Sequence, residues 1–138
     1  MAIDILTPLS KKLTIYSDFR KDLMMNPITS DLALRLNEDA VKESLKNLML
    51  TDKGERLFQP TLGSDVRKSL FDLMTPATVK MIEQNVRSTI NNFEPRVTIV
   101  NVEVIPEYDN YTVKINITFY VRNVQEPVTV SIFLERTR

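Results

Sequence analysis

Asn91-Asn92-Phe93-Glu94-Pro95-Arg96-Val97-Thr98-Ile99-Val100-Asn101-Val102-Glu103-Val104 is the stretch in which the apolar spacing changes. Before it, Val79, Ile82, Val86, Ile90 and Phe93 recur at the spacing of one helix face, about 3.6 residues per turn. After it, Val100, Val102 and Val104 alternate with Asn101 and Glu103, a period of about 2 that belongs to a half-buried strand. Glu94-Pro95 marks the junction, because a residue before proline is driven out of the helical region. Upstream, Thr75-Pro76 supplies a hydroxyl at the N-cap and a proline at the first helical position, predicting a central helix over 76–92.

Working outward toward the C-terminus, Tyr111, Val113, Ile115, Ile117, Phe119 and Val121 alternate with polar residues, as do Val128, Val130, Ile132 and Leu134. Three strands are predicted, over about 97–105, 111–122 and 128–135, joined by hairpin-length connections at 106–110 and 123–127. Toward the N-terminus, Asn37 is a candidate N-cap with Glu38 and Asp39 in the first turn, and Val41, Leu45, Leu48 and Met49 form a helical stripe over 38–50. A glycine-bearing loop follows, with Gly54 expected in a left-handed turn. Ser64 then caps an expected helix over 64–73 that turns Val66, Leu70 and Phe71 inward.

Residues 1–36 are the least regular part. Leu13 to Ser17 alternate briefly like a strand or extended arm, Asn26-Pro27 breaks the chain, and Thr29-Ser30-Asp31 offers turn chemistry. The arm is expected to lie across another surface. Helices first and a meander last give an α+β fold: three helices on one face of a C-terminal three-stranded antiparallel sheet, with an extended N-terminal arm. The division is an arm and irregular segment over 1–36 and a single domain over 37–138. The last strand is an edge, which must be covered, charged or used for pairing.

Composition excludes much. The 138 residues carry 18 Lys and Arg against 18 Asp and Glu, with no His, Cys or Trp and two glycines, Gly54 and Gly63. No Ser-His-Asp triad, thiolate nucleophile, disulfide or His/Cys metal site is available, and two glycines cannot build a phosphate-cradling loop. Neutral charge argues against an extended nucleic-acid surface. Residues 1–8 lack the basic and apolar regions of a signal peptide, and no stretch approaches the roughly 20 apolar residues of a membrane span. Two N-x-T sequons, at Asn110 and Asn116, are then chance matches, and the expected setting is a cytoplasm or a particle assembled there. No catalytic residue, metal or cofactor is called for.

Glu94-Pro95-Arg96 is the most unusual local feature: a carboxylate and a guanidinium leave a rigid proline corner, fit for bidentate recognition or simply a helix stop with two solvated charges. Lys53-Gly54-Glu55-Arg56 is a second charged turn, either a solvated loop or, given Phe58 and Pro60, one that packs on the body and lets Arg56 pair with an internal carboxylate. Paired carboxylates such as Glu94, Glu103, Glu107 and Asp109 are numerous enough to arise by chance, and no aromatic sugar platform accompanies them. The six methionines, Met24, Met25, Met49, Met74 and Met81 among them, are expected as core fillers before partner surface.

Taken in order, these pieces resemble a known family. They are Ser17-Asp18, Lys53-Gly54-x-Arg56-x-Phe58-x-Pro60-x-x-Gly63, Leu70-Phe71, Thr75-Pro76, Asn92-Phe93-Glu94-Pro95-Arg96 and Val104-Ile105-Pro106-x-Tyr108-Asp109-x-Tyr111-Thr112. The chain is similar, over about residues 13–135, to the gene-twenty-five-like baseplate wedge proteins of bacteriophages, a family that includes a type VI secretion baseplate subunit. The resemblance implies a structural, non-enzymatic subunit of a virion tail baseplate, present in several copies of a symmetric assembly. Its implied partners are other wedge proteins and the first ring of tail sheath, with no nucleic acid and no membrane. The sheet is then the mimic of a sheath neighbour that starts sheath polymerisation by strand pairing. Glu94, Pro95 and Arg96 are implied to hold the wedge core, and Gly54, Arg56, Phe58, Pro60 and Gly63 to shape the loop or touch a partner. Leu62 stands where many relatives have an aromatic, a conservative loss of packing. The family has also been labelled lysozyme-like, which sets a peptidoglycan-cleaving enzyme with paired carboxylates as the rival expectation.

Overall fold

The computed structural model describes residues 14–109 and 112–136. Readings that involve residues 1–13, Leu13 among them, and the Asn110-Tyr111 pair of the first hairpin loop lie outside the described residues. In chain order the elements are β1 (Ser17–Phe19), β2 (Leu34–Leu36), α1 (Glu38–Leu50), α2 (Val66–Ser69), α3 (Pro76–Phe93), β3 (Val97–Glu107), β4 (Thr112–Val121) and β5 (Pro127–Glu135). β3, β4 and β5 form one antiparallel sheet with β4 in the centre, so β5 is an edge, as expected of the last strand. The fold is α+β, three helices with a C-terminal three-stranded antiparallel sheet.

α3 begins as its sequence dictates. The Thr75 hydroxyl accepts from the Thr78 amide at 3.2 Å, and Pro76 occupies the first turn, where its missing N–H costs nothing. Ile82, Val86 and Ile90 form its buried stripe and meet Leu45 and Met49 of α1 and Ile115, Ile117 and Phe119 of β4 in one core. The opposite sheet face is polar and stitched across strands. Asn116 donates to Glu103 at 3.2 Å and accepts from Ser131 at 2.8 Å, and the Thr118 and Thr129 hydroxyls meet at 3.2 Å.

The strict alternation expected of Val100, Val102 and Val104 fails at its first member. Ile99 pairs with Phe119 and Asn101 with Thr118, so Val100 is the extra residue of a β-bulge and is half exposed. The bulge resets the phase, which returns Val102 and Val104 to the core side.

The expected helix over 64–73 shrinks to the single turn of α2. The expected cap is otherwise engaged: the buried Ser64 hydroxyl donates to the Met49 carbonyl at 2.8 Å. Asp65, which stands at the N-cap position instead, makes no side-chain cap bond and binds Lys53 at 2.7 Å and Lys68 at 3.1 Å. Phe71 therefore leaves the inward face and is mostly exposed, against the Arg136 guanidinium. Nor do the methionines all fill the core: Met49 is buried, whereas Met24, Met25 and Met81 are exposed.

In the arm, residues 14–16 lie outside any strand; β1 begins at Ser17 and pairs with β2. The ribbon's tip is a turn at Asn26-Pro27, where the Asn26 amide donates to the Asp31 carbonyl at 2.7 Å and its side chain accepts from the Ile28 amide at 2.9 Å.

Both glycines have positive φ, 90° at Gly54 and 125° at Gly63, but their surroundings differ. A methyl group at Gly63 would lie 2.5 Å from the Thr51 carbonyl oxygen, whereas one at Gly54 would meet nothing within 4 Å. Gly63→Ala is expected to destabilise the chain by about 2–4 kcal/mol and Gly54→Ala by about 1 kcal/mol, as read from urea unfolding midpoints. Equal effects at the two positions would contradict this account of the loop.

Candidate functional site

Glu94 closes α3, its amide donating to the Ile90 carbonyl at 2.8 Å, and three residues later Val97 opens β3. The corner between them is not a pair of solvated charges. Glu94 is buried, 4% exposed, and both of its oxygens are engaged. Oε1 accepts from Arg96 Nε at 2.6 Å, and Oε2 accepts from Arg96 Nη2 at 2.7 Å and from the Ser44 hydroxyl of α1 at 2.7 Å. Pro95 fixes the turn that lets a guanidinium fork and a carboxylate two residues apart meet edge to edge.

Arg96 is held from a second side by the arm. Its guanidinium carbon lies 5.4 Å from the centre of the Tyr16 ring, a cation–π contact. Tyr16 is fixed in turn by Asn37. The Asn37 side-chain oxygen accepts from the amides of Ile15 at 2.8 Å and Tyr16 at 3.3 Å, while the Asn37 amide donates to the Tyr16 carbonyl at 2.8 Å. Asn37 occupies the N-cap position of α1 as expected, but its side chain makes no capping hydrogen bond. Asn37 has φ 50°, and its side chain ties the arm to the body. Arg96 remains a third exposed, and its Nη1 has no acceptor among the described residues, so the corner keeps donor capacity toward solvent.

Burial raises the Glu94 pKa, but the Arg96 and Ser44 hydrogen bonds and the Arg96 charge outweigh it and hold the carboxyl below its ordinary value. Arg96 moves the other way, chiefly through its hydrogen bond to Glu94, with burial opposing. A carboxylate held ionised by a bidentate arginine is poorly matched to general-acid work.

The second sequence-predicted group, Gly54, Arg56, Phe58, Pro60 and Gly63, lies in the loop between α1 and α2. Gly54 takes the expected left-handed conformation. Phe58 and Pro60 do not pack on the body: Phe58 is 98% exposed and Pro60 is exposed. Arg56 makes no ion pair among the described residues, although it lines one shallow groove with Asp18, Ser44 and Glu94, so the loop borders the corner. Ser44 and Tyr16 carried no sequence signal for this site and Asn37 signalled only a cap, because their roles depend on residues distant in the chain. Among the described residues no group of acidic side chains is arranged to hold a metal ion, and no helix is long and apolar enough to cross a membrane.

The charged corner and the exposed loop thus lie beside each other on an α+β body whose sheet ends in the edge strand β5. Residues 35–126 match the family model of baseplate wedge protein gp25, and the chain belongs to that family of contractile-tail baseplate wedge proteins. It is 38% identical over 107 residues to baseplate wedge protein gp25 of Enterobacteria phage T4, covering 78% of this chain and 80% of that one. Among solved structures it shares its fold with a Geobacter sulfurreducens protein provisionally designated a tail lysozyme, at 23% identity and TM-score 0.68 over 77% of this chain and 98% of that one. It also shares its fold with a chain of the six-fold symmetrised anti-feeding prophage baseplate, at 18% identity and TM-score 0.61 over 89% of this chain and 87% of that one. The chain is thus a structural subunit of a virion's tail baseplate.

Arg96→Ala leaves the Glu94 carboxylate buried with only Ser44, and is expected to cost about 1–3 kcal/mol after allowance for the partial exposure of Arg96. Because the folded-state pKa of Glu94 is depressed, the pair's contribution is present above the ordinary carboxylate value of 4.5 and is lost as pH falls through the folded value. Urea midpoints across that acid range should fall less steeply in Glu94→Gln than in the parent. An identical slope would show that Glu94 is not paired in solution.

Proposed function

We propose that the chain is held in the baseplate wedge through Glu94, Pro95 and Arg96 and that it starts sheath polymerisation by pairing strands along β5. The observation that carries the first part is the corner itself. Its carboxylate is internally neutralised and rigid, and the exposed side of Arg96 retains donors for a partner. Recognition by a preformed fork loses little entropy on docking.

The choice of edge follows from the strands. β3 is interrupted by the Val100 bulge and carries Pro106, which has no N–H to donate, and both features blunt an edge against pairing. β5 runs in unbroken register against β4 from Pro127 to Glu135 and is uncharged from Val128 to Leu134. An extended segment of a sheath subunit added there would gain main-chain hydrogen bonds along most of the strand. The function is not enzymatic in this reading. Glu94 is neutralised by Arg96, which leaves the peptidoglycan-cleaving alternative without a poised acid at this site.

Arg96→Ala should remain folded, since its cost is small beside the 5–15 kcal/mol typical of a domain. It should nevertheless enter assembled baseplates at about a tenth of the parental level or less. The purified parent chain should release no soluble fragments from peptidoglycan. Normal incorporation of Arg96→Ala would remove the corner from the anchor, and turnover abolished by Glu94→Gln would restore the enzymatic alternative.

A further inference from the structure

The loop between α1 and α2 presents Leu57 and Phe58 to solvent at 92% and 98% exposure, the two most exposed large apolar side chains among the described residues. Exposure of this kind usually belongs to a flexible loop, but this loop is heavily constrained. The Gly54 amide donates to the Pro60 carbonyl at 2.8 Å, closing the loop across its neck. Inside it the Gln59 amide donates to the Arg56 carbonyl at 3.2 Å, a turn that places Leu57 and Phe58 at its apex. At the base, the Glu55 carboxylate accepts from the Asp52 amide at 2.9 Å, Lys53 pairs with Asp65 at 2.7 Å, and Ser64 donates through its amide to Thr51 and through its hydroxyl to Met49. Gly63 lets the two ends of the loop approach closely.

The folded chain gains nothing from holding these two side chains in water. An interface gains a great deal, because a large apolar residue already fixed in its bound position is the usual form of a binding hot spot. The flanking Arg56 has no ion pair among the described residues, so the complement it lacks is an acidic group. Arg56 also lines the groove that contains Glu94, which makes the loop continuous with the proposed anchor.

We propose that this loop is a preformed knob whose Leu57 and Phe58 enter an apolar, carboxylate-rimmed pocket on another protein subunit of the baseplate. The inference rests on the wedge reading and adds a second point of attachment to it. Two points on one side of the domain fix its rotation about the corner, which a single ion pair leaves open.

The test compares baseplates assembled with the parent chain and with a Leu57→Ser/Phe58→Ser double variant of the full chain. The replaced side chains are almost wholly exposed, so the melting temperature should shift by about 2 °C or less. Incorporation should fall by about tenfold or more. A benzophenone-bearing amino acid placed at position 58 should, on illumination of assembled baseplates, cross-link to a different subunit at an apolar segment next to Asp or Glu. Incorporation of the double variant within about twofold of the parent overturns the knob and leaves the corner standing. A cross-link confined to this chain also overturns it. Absence of the parent itself from baseplates overturns the wedge reading, and the knob with it.

Discussion

A carboxylate cannot be buried without a compensating charge, and the cost of leaving one unpaired organises this protein. Glu94 ends the central helix inside the body, and its compensation comes from Arg96 across a single proline. That arrangement fixes the angle between α3 and β3. Ser44 brings α1 to the same carboxylate, and Tyr16 brings the arm to the same guanidinium. Two helices, the sheet and the arm therefore converge on one ion pair of which only a third of one partner is exposed.

Most of the architecture was legible because period and caps are local signals. The Thr75-Pro76 start, the Glu94-Pro95 stop, the stripe Val41, Leu45, Leu48 and Met49, and the alternation in β4 and β5 each lie within one element. The bulge at Val100 was not legible, because a single extra residue leaves an apolar alternation that looks regular until it is paired with β4. The side chains of Asn37 and Ser64 fail to cap for a related reason. Both residue types cap helices, but each finds a partner outside its helix, at Tyr16 and at Met49.

The candidate site divides the same way. Glu94, Pro95 and Arg96 stood out by composition alone, yet nothing in the chain announces that the two charges satisfy each other instead of facing solvent. The loop of Phe58 reads in sequence as either solvated or packed on the body, the latter because aromatic residues are usually covered, and Phe58 is almost wholly exposed. An element that defies the burial rule while its backbone is tightly bonded is better explained by what it meets than by what it stabilises.

A chain without histidine or cysteine that is neutral overall has few ways to do chemistry and several ways to be held in place. The most direct measurement is a reconstruction of the assembled baseplate at side-chain resolution. The account predicts the Glu94–Arg96 pair intact with another subunit against its exposed side, and a sheath strand running along β5. A corner facing solvent beside an unpaired β5 would contradict it.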